Sequence, residues 1–292
     1  MRTLRVWSTG WLLLPGEGAI MNIVLASGFL ISQRFLGRDY FSDVQAHLEQ
    51  AGHKVLPPLV PPLAKCEDRA RVLAANIAGT FADAPVHIIA HSMGGLDGRM
   101  MIGRNFGGLG DPGRILSLTT LSTPHRGSPV ADLLAGGGPG DLRGKFLDVI
   151  GRLGVDTGAL HDLTVDATTT SIPDVVGTHP HIRIRSYAAS GRTPGFQTCA
   201  LLKPTYDFVK AKTGEDNDGV VAVGSARYGD FQGPTWPCDH VQEVGYDLDT
   251  VLLPPELIRI RQSVLGAVGV ASPPFDHLAK IDAIVGQFAN DR

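Results

Sequence analysis

One ten-residue run constrains the fold more than any other part of the chain: Val86-His87-Ile88-Ile89-Ala90-His91-Ser92-Met93-Gly94-Gly95. A short, largely apolar segment runs straight into a serine flanked by small residues, and helical spacing follows from Leu96 to Arg104. Such a segment reads as a buried strand of a sheet covered on both faces. A serine on the sharp bend between strand and helix crowds the backbone, so the positions two before and two after it must be small. Here they are Ala90 and Gly94.

The flanking segments extend the pattern. Strands are expected at 22–26, 53–56, 85–90, 115–122 and 182–188, and near 220–223, with helices over 39–52, 69–81 and 96–104. A loop and a helix are expected between Gly191 and Gly214, and an amphipathic helix over 275–288. Alternation of this kind predicts an α/β fold, a mostly parallel sheet with helices on both faces. The alternation lapses from about 127 to 176. There a glycine-rich stretch (135–140) precedes a helix with an apolar stripe at Leu142, Phe146, Leu147, Ile150 and Leu153, interrupted by Gly144, Gly151 and Gly154.

Composition bounds the function classes. The chain has 292 residues, 43% hydrophobic and 19% charged, the profile of a globular protein with room for one α/β domain and an insertion. A net charge of −3 without clustered Lys or Arg argues against nucleic acid as a partner. Cys66, Cys199 and Cys238 have no zinc-like spacing. A Cys199–Cys238 bridge is conceivable, but three separate thiols are the simpler reading. Residues 1–20 form an N-terminal extension: Arg2 and Arg5 precede a short apolar run ending at Leu14, which fits either a signal-peptide core or sequence upstream of a start at Met21. A cytoplasmic location is expected, secretion being the alternative.

The bend dictates chemistry as well as shape. It lifts the Ser92 hydroxyl clear of the sheet and aims the Met93 N–H where a tetrahedral oxyanion would form, at the positive end of a helix. A second donor is expected from the loop after the first strand, where Gly28 lets the chain turn, so that the Phe29 N–H, or alternatively that of Leu30, faces the cleft. The residues alone leave the rest of the relay open. Asn217-Asp218-Gly219 by itself reads more readily as a tight turn. Asp239 adjoins His240 but is poorly placed to meet it; His277 is a rival base, His125 could line the cleft, and His91 reads as structural.

The segments Ala90–Asp97, Ser122-Thr123-Pro124-His125-Arg126-Gly127-Ser128-Pro129-Val130-Ala131-Asp132 and Asn217-Asp218-Gly219 together resemble the bacterial triacylglycerol lipases of the α/β-hydrolase superfamily, including the Pseudomonas-type lipases, over most of residues 22–245. The resemblance implies a Ser-Asp-His order, with Asp218 as the acid and His240 as the base. It also places a cap or lid at about 128–176, and hence a single domain over 21–292. The implied activity is ester hydrolysis through an acyl-enzyme on lipid or other hydrophobic esters, with no cofactor and with transient contact at a lipid interface. A polyester depolymerase or acyltransferase would use the same triad, and a non-catalytic binding protein would leave it idle.

Two positions depart from the family pattern. Ser27-Gly28 stands where His-Gly is usual, and Gln242 stands where the secreted members carry a calcium-binding Asp. A neutral amide is a poor ligand for a hard cation, so no metal is expected.

Overall fold

The computed structural model describes residues 19–29, 34–35, 38–57, 59–62, 64–137, 144, 158–191, 198–199, 202–247 and 275–291. Strands β1 (Asn22–Ala26), β4 (Lys54–Leu56), β5 (Val86–His91), β6 (Ile115–Leu121), β7 (Arg183–Tyr187) and β8 (Asp230–Phe231) form one sheet in the order β4-β1-β5-β6-β7-β8. Every pairing in it is parallel. The two-residue strands β2 (Arg34–Phe35) and β3 (Arg38–Asp39) pair separately and antiparallel.

Burial on both faces explains the apolar character of the central strands. Along β1, Val24 and Ala26 pack into one core while Ile23 and Leu25 pack into the other. The period of two recurs in β5, with Val86, Ile88 and Ala90 on the first side and Ile89 on the second. The first side is covered by α2 (Cys66–Phe81), through Ala70, Leu73 and Ile77, and by α3 (Met93–Gly103), through Leu96 and Met100. The second is covered by α1 (Ser42–Gln50), through Val44 and Leu48, and by the helix His277–Phe288, through Ile281, Ile284 and Phe288. Each such aliphatic side chain contributes roughly 1.5–3 kcal/mol by leaving water.

The expected elements recur with two corrections. No strand forms over 220–223: Asn217 and Ala222 make one isolated bridge, and Val223–Ala226 is a short helix. The amides of Val220 and Val221 are held by the Asp218 carboxylate and are lost to a sheet ladder. The sheet edge is taken instead by β8, which the sequence reading missed. The helices α2 and α3 also begin at Cys66 and Met93, three residues earlier than expected in each case.

Of the insertion at 128–176, the described ends sit firmly on the domain. Pro129–Asp132 is a helix capped by Ser128, whose hydroxyl donates to the Val220 carbonyl. Val165–Thr170 is a second helix, and its Val165 N–H donates to Asp132. The apolar helix expected over 142–153 lies outside the described residues but for the Gly144 backbone, as does nearly all of the N-terminal extension. All three cysteines are buried, and none is in a disulfide.

Candidate active site

The site begins with the backbone at Ser92. Its φ of 54° and ψ of −128° lie where L-residues are strained, a conformation held because β5 pins one side and α3 the other. Ser92 N–H donates to Leu121 O at 2.9 Å, tying the bend to β6. On the far side the bend presses against the end of β1. A Cβ on Gly94 would lie 2.3 Å from the Ala26 carbonyl oxygen, so only glycine fits there. One methyl at Ala90 is accommodated; the residue is fully buried.

Two loops bring the remaining groups to the Ser92 hydroxyl. His240 Nε2 is 2.9 Å from Ser92 Oγ, and His240 Nδ1 is 2.7 Å from Asp218 Oδ2. All three residues are buried. Asp218 Oδ1 accepts from the Val220 and Val221 N–H groups at 2.8 and 2.7 Å. A carboxylate so engaged accepts from His240, which assigns the proton to Nδ1 and leaves Nε2 free to take one from serine. The two loops are joined by their backbones as well, His240 N–H donating to Asp218 O at 2.9 Å.

Gly28 closes the other side. A Cβ there would come within 2.7 Å of Ser92 Cβ and 3.2 Å of Ser92 Oγ, so the loop after β1 lies against the serine. Phe29 follows, half-buried against the core. Met93 is the first residue of α3. Leu30, the alternative donor, lies outside the described residues. The rival groups are engaged elsewhere. Asp239 accepts from the Cys199, Val241 and Gln242 amides at 2.8–3.2 Å, and burial pushes its carboxyl up to about 7. His125 meets Thr120 and Arg99, and burial depresses its basicity. His277 begins the terminal helix, its Nε2 buried beside Gly245.

Over 223 residues the chain is 30% identical to Triacylglycerol lipase 2 of Saccharomyces cerevisiae, covering 71% of this chain and 63% of the yeast protein. No protein-family model matches the sequence. Among solved structures, the mature lipase of Bacillus licheniformis matches with a TM-score of 0.61 at 20% identity, over 84% of this chain and 93% of that one. A metagenomic carboxyl esterase matches with a TM-score of 0.67 at 18% identity, over 97% and 80%. The fold is that of the α/β-hydrolases. The chain spans less than two thirds of the length of its yeast relative.

The site also holds polar groups beyond the three of the relay. The Tyr40 hydroxyl hydrogen-bonds His91 Nδ1, and the His91 ring lies 4.5 Å from the His240 ring. Glu243 is wholly buried in the same place; desolvation, and then the Asp218 charge, raise its carboxyl well above the usual range. His91, His240 and Glu243 each bring one ligand atom within 4.8 Å of the others, the one such group among the described residues. A cation there would compete for an imidazole already engaged by Ser92 and Asp218. The position of the calcium ligand is equally unsuited: the Gln242 side-chain oxygen accepts from the Asp239 N–H at 2.9 Å. Local sequence gave little sign of these groups, since their partners lie far apart along the chain.

Proposed function

We propose that the chain is a serine carboxylic-ester hydrolase, a lipase or esterase acting on hydrophobic esters through an acyl-enzyme. The observation that carries the reading is the unbroken Asp218–His240–Ser92 relay, with contacts of 2.7 and 2.9 Å, at a strained bend. His240 Nε2 takes the Ser92 proton as Oγ attacks the ester carbonyl, and Asp218 steadies the imidazolium. The Met93 and Phe29 N–H groups receive the oxyanion, and His240 then protonates the departing alcohol. Water repeats the cycle on the acyl-enzyme. The likeness to proteins named lipase and esterase supports the same chemistry.

A fluorophosphonate probe tests the nucleophile. The wild type should label in a 1:1 ratio and Ser92→Ala should not; labelling of the variant sinks the assignment. A chain-length series of p-nitrophenyl esters beside an emulsified triglyceride then separates esterase from lipase. Added alcohol would expose acyl transfer, and a solid polyester would expose depolymerisation.

A further inference from the structure

Arg69 is a guanidinium with no exposed side-chain surface, on the inward face of α2 among Cys66, Ala70 and Leu73. Burying a charge there is costly unless it is paired and its donors are satisfied. Asp97, on α3 five residues after Ser92, supplies the pair: Arg69 Nε lies 2.9 Å and Nη2 2.8 Å from its Oδ2. The remaining donors go to backbone carbonyls. Nη1 reaches Pro61 O at 3.1 Å and Pro62 O at 3.3 Å. Nη2 reaches Ser27 O at 2.7 Å and Gly28 O at 3.3 Å. Those last two carbonyls belong to the loop that lies against Ser92.

Peptide geometry turns this anchorage into a statement about direction. Across a trans peptide the C=O of one residue and the N–H of the next point opposite ways. Among the described residues the single cis bond is Gly233–Pro234. Holding Ser27 O and Gly28 O on Arg69 therefore drives the Gly28 and Phe29 N–H groups away from it. The Tyr40 hydroxyl lies close to Gly28, 3.1 Å from where a Cβ would stand. The Phe29 N–H is the next donor along the same loop, whose Gly28 lies against Ser92. We infer that Arg69, braced by Asp97, is a positioning residue that aims the Phe29 N–H at the oxyanion and couples that loop to the helix carrying the Met93 N–H. This rests on the serine-hydrolase reading of the site. Removing one oxyanion donor costs on the order of 10²–10³ in kcat, which sets the scale expected when the loop is released.

The test separates positioning from folding by replacing the pair together. A buried ion pair can be exchanged for apolar side chains with little loss of stability. Arg69→Met combined with Asp97→Leu should fold with a Tm near that of the wild type. Its kcat on a p-nitrophenyl ester should nevertheless fall about 10²-fold or more, with KM changed by less than about threefold. The Ki of a trifluoromethyl ketone, which mimics the tetrahedral species, should rise in parallel. A folded double variant with wild-type kcat and Ki overturns the inference. If that variant does not fold, Arg69→Lys decides. Lysine keeps a charge against Asp97 but lacks the fork that reaches both carbonyls. A kcat down at least about tenfold at unchanged Tm supports positioning, and wild-type kcat overturns it. Wild type that turns over no ester and fails to label with fluorophosphonate overturns the site reading and, with it, this role; wild type that labels while the variants keep full kcat overturns the role alone.

Discussion

Gly28 and Ser92 touch so closely that a side chain on the first would collide with the second, its Cβ falling 2.7 Å from the serine Cβ. Gly28→Ala should therefore displace either the loop or the nucleophile. A shift of about 1 Å in such a centre costs roughly 10²-fold in rate. We expect kcat to fall about 10–100-fold while stability drops by only about 1–3 kcal/mol. Steady-state kinetics beside a urea melt check this, and an Ala variant with unchanged kcat would show that the loop does not bear on the serine.

Asp218→Asn keeps an oxygen for the Val220 and Val221 amides, so the loop should hold its shape. The new amide group faces His240 Nδ1 and favours the wrong tautomer, for which a loss of about 10⁴ in kcat is expected. The urea midpoint should move little. Less than a tenfold loss would mean that another group can orient the imidazole.

Burial, and then the charge on Asp218, raise the Glu243 carboxyl well above the usual carboxylate range, which favours its neutral form in the native fold. Its folded-state affinity for a proton exceeds its unfolded one, so its contribution to stability is present at acid pH and is lost as pH rises from the ordinary Glu value, about 4.3, toward the raised folded value. Glu243→Gln imitates the neutral form. It should leave kcat at pH 7 within about threefold of the wild type and raise Tm at pH 8 more than at pH 5. A variant less stable at pH 8 than the wild type would refute a neutral Glu243.

His87 behaves in the opposite sense, well away from the site. It stacks on Phe288 at 4.2 Å, bonds Ser117, and is lowered by burial to about 4. A depressed histidine stabilises the fold above its unfolded value of about 6.5, and that contribution is lost as pH falls from there to about 4. The loss attributable to this residue should be about 1–3 kcal/mol, allowing for partial screening. His87→Gln cannot charge, so its unfolding free energy should fall less steeply between pH 6.5 and 4.5. Equal slopes in the two proteins would remove His87 from the account.

What the sequence revealed and what it hid divide along the distance between partners. The bend at Ser92 was legible because its requirements are local: a buried strand, small neighbours, a helix. Even so, Gly94 and Gly95 disguised the start of α3, since glycine is a poor helix former and is demanded here by the end of β1 at Gly94 and by Thr123 at Gly95. The valines at 220–223 suggested a strand by their branching, but a carboxylate two residues upstream of Val220 claimed the amides. Asp230–Phe231, too short to show alternation, gave no signal of the edge strand. Arg69 did leave a trace, a charged residue on the apolar stripe of α2. Its meaning lay with Asp97, 28 residues away, and with carbonyls of a loop 41 and 42 residues away.

The backbone bond from His240 N–H to Asp218 O makes the two relay loops one mechanical piece. Thermal or substrate-driven displacement of either loop would carry both partners along, preserving the carboxylate–imidazole contact while changing its approach to the hydroxyl. The chain of contacts is thus most easily broken at its last link, between ring and serine hydroxyl.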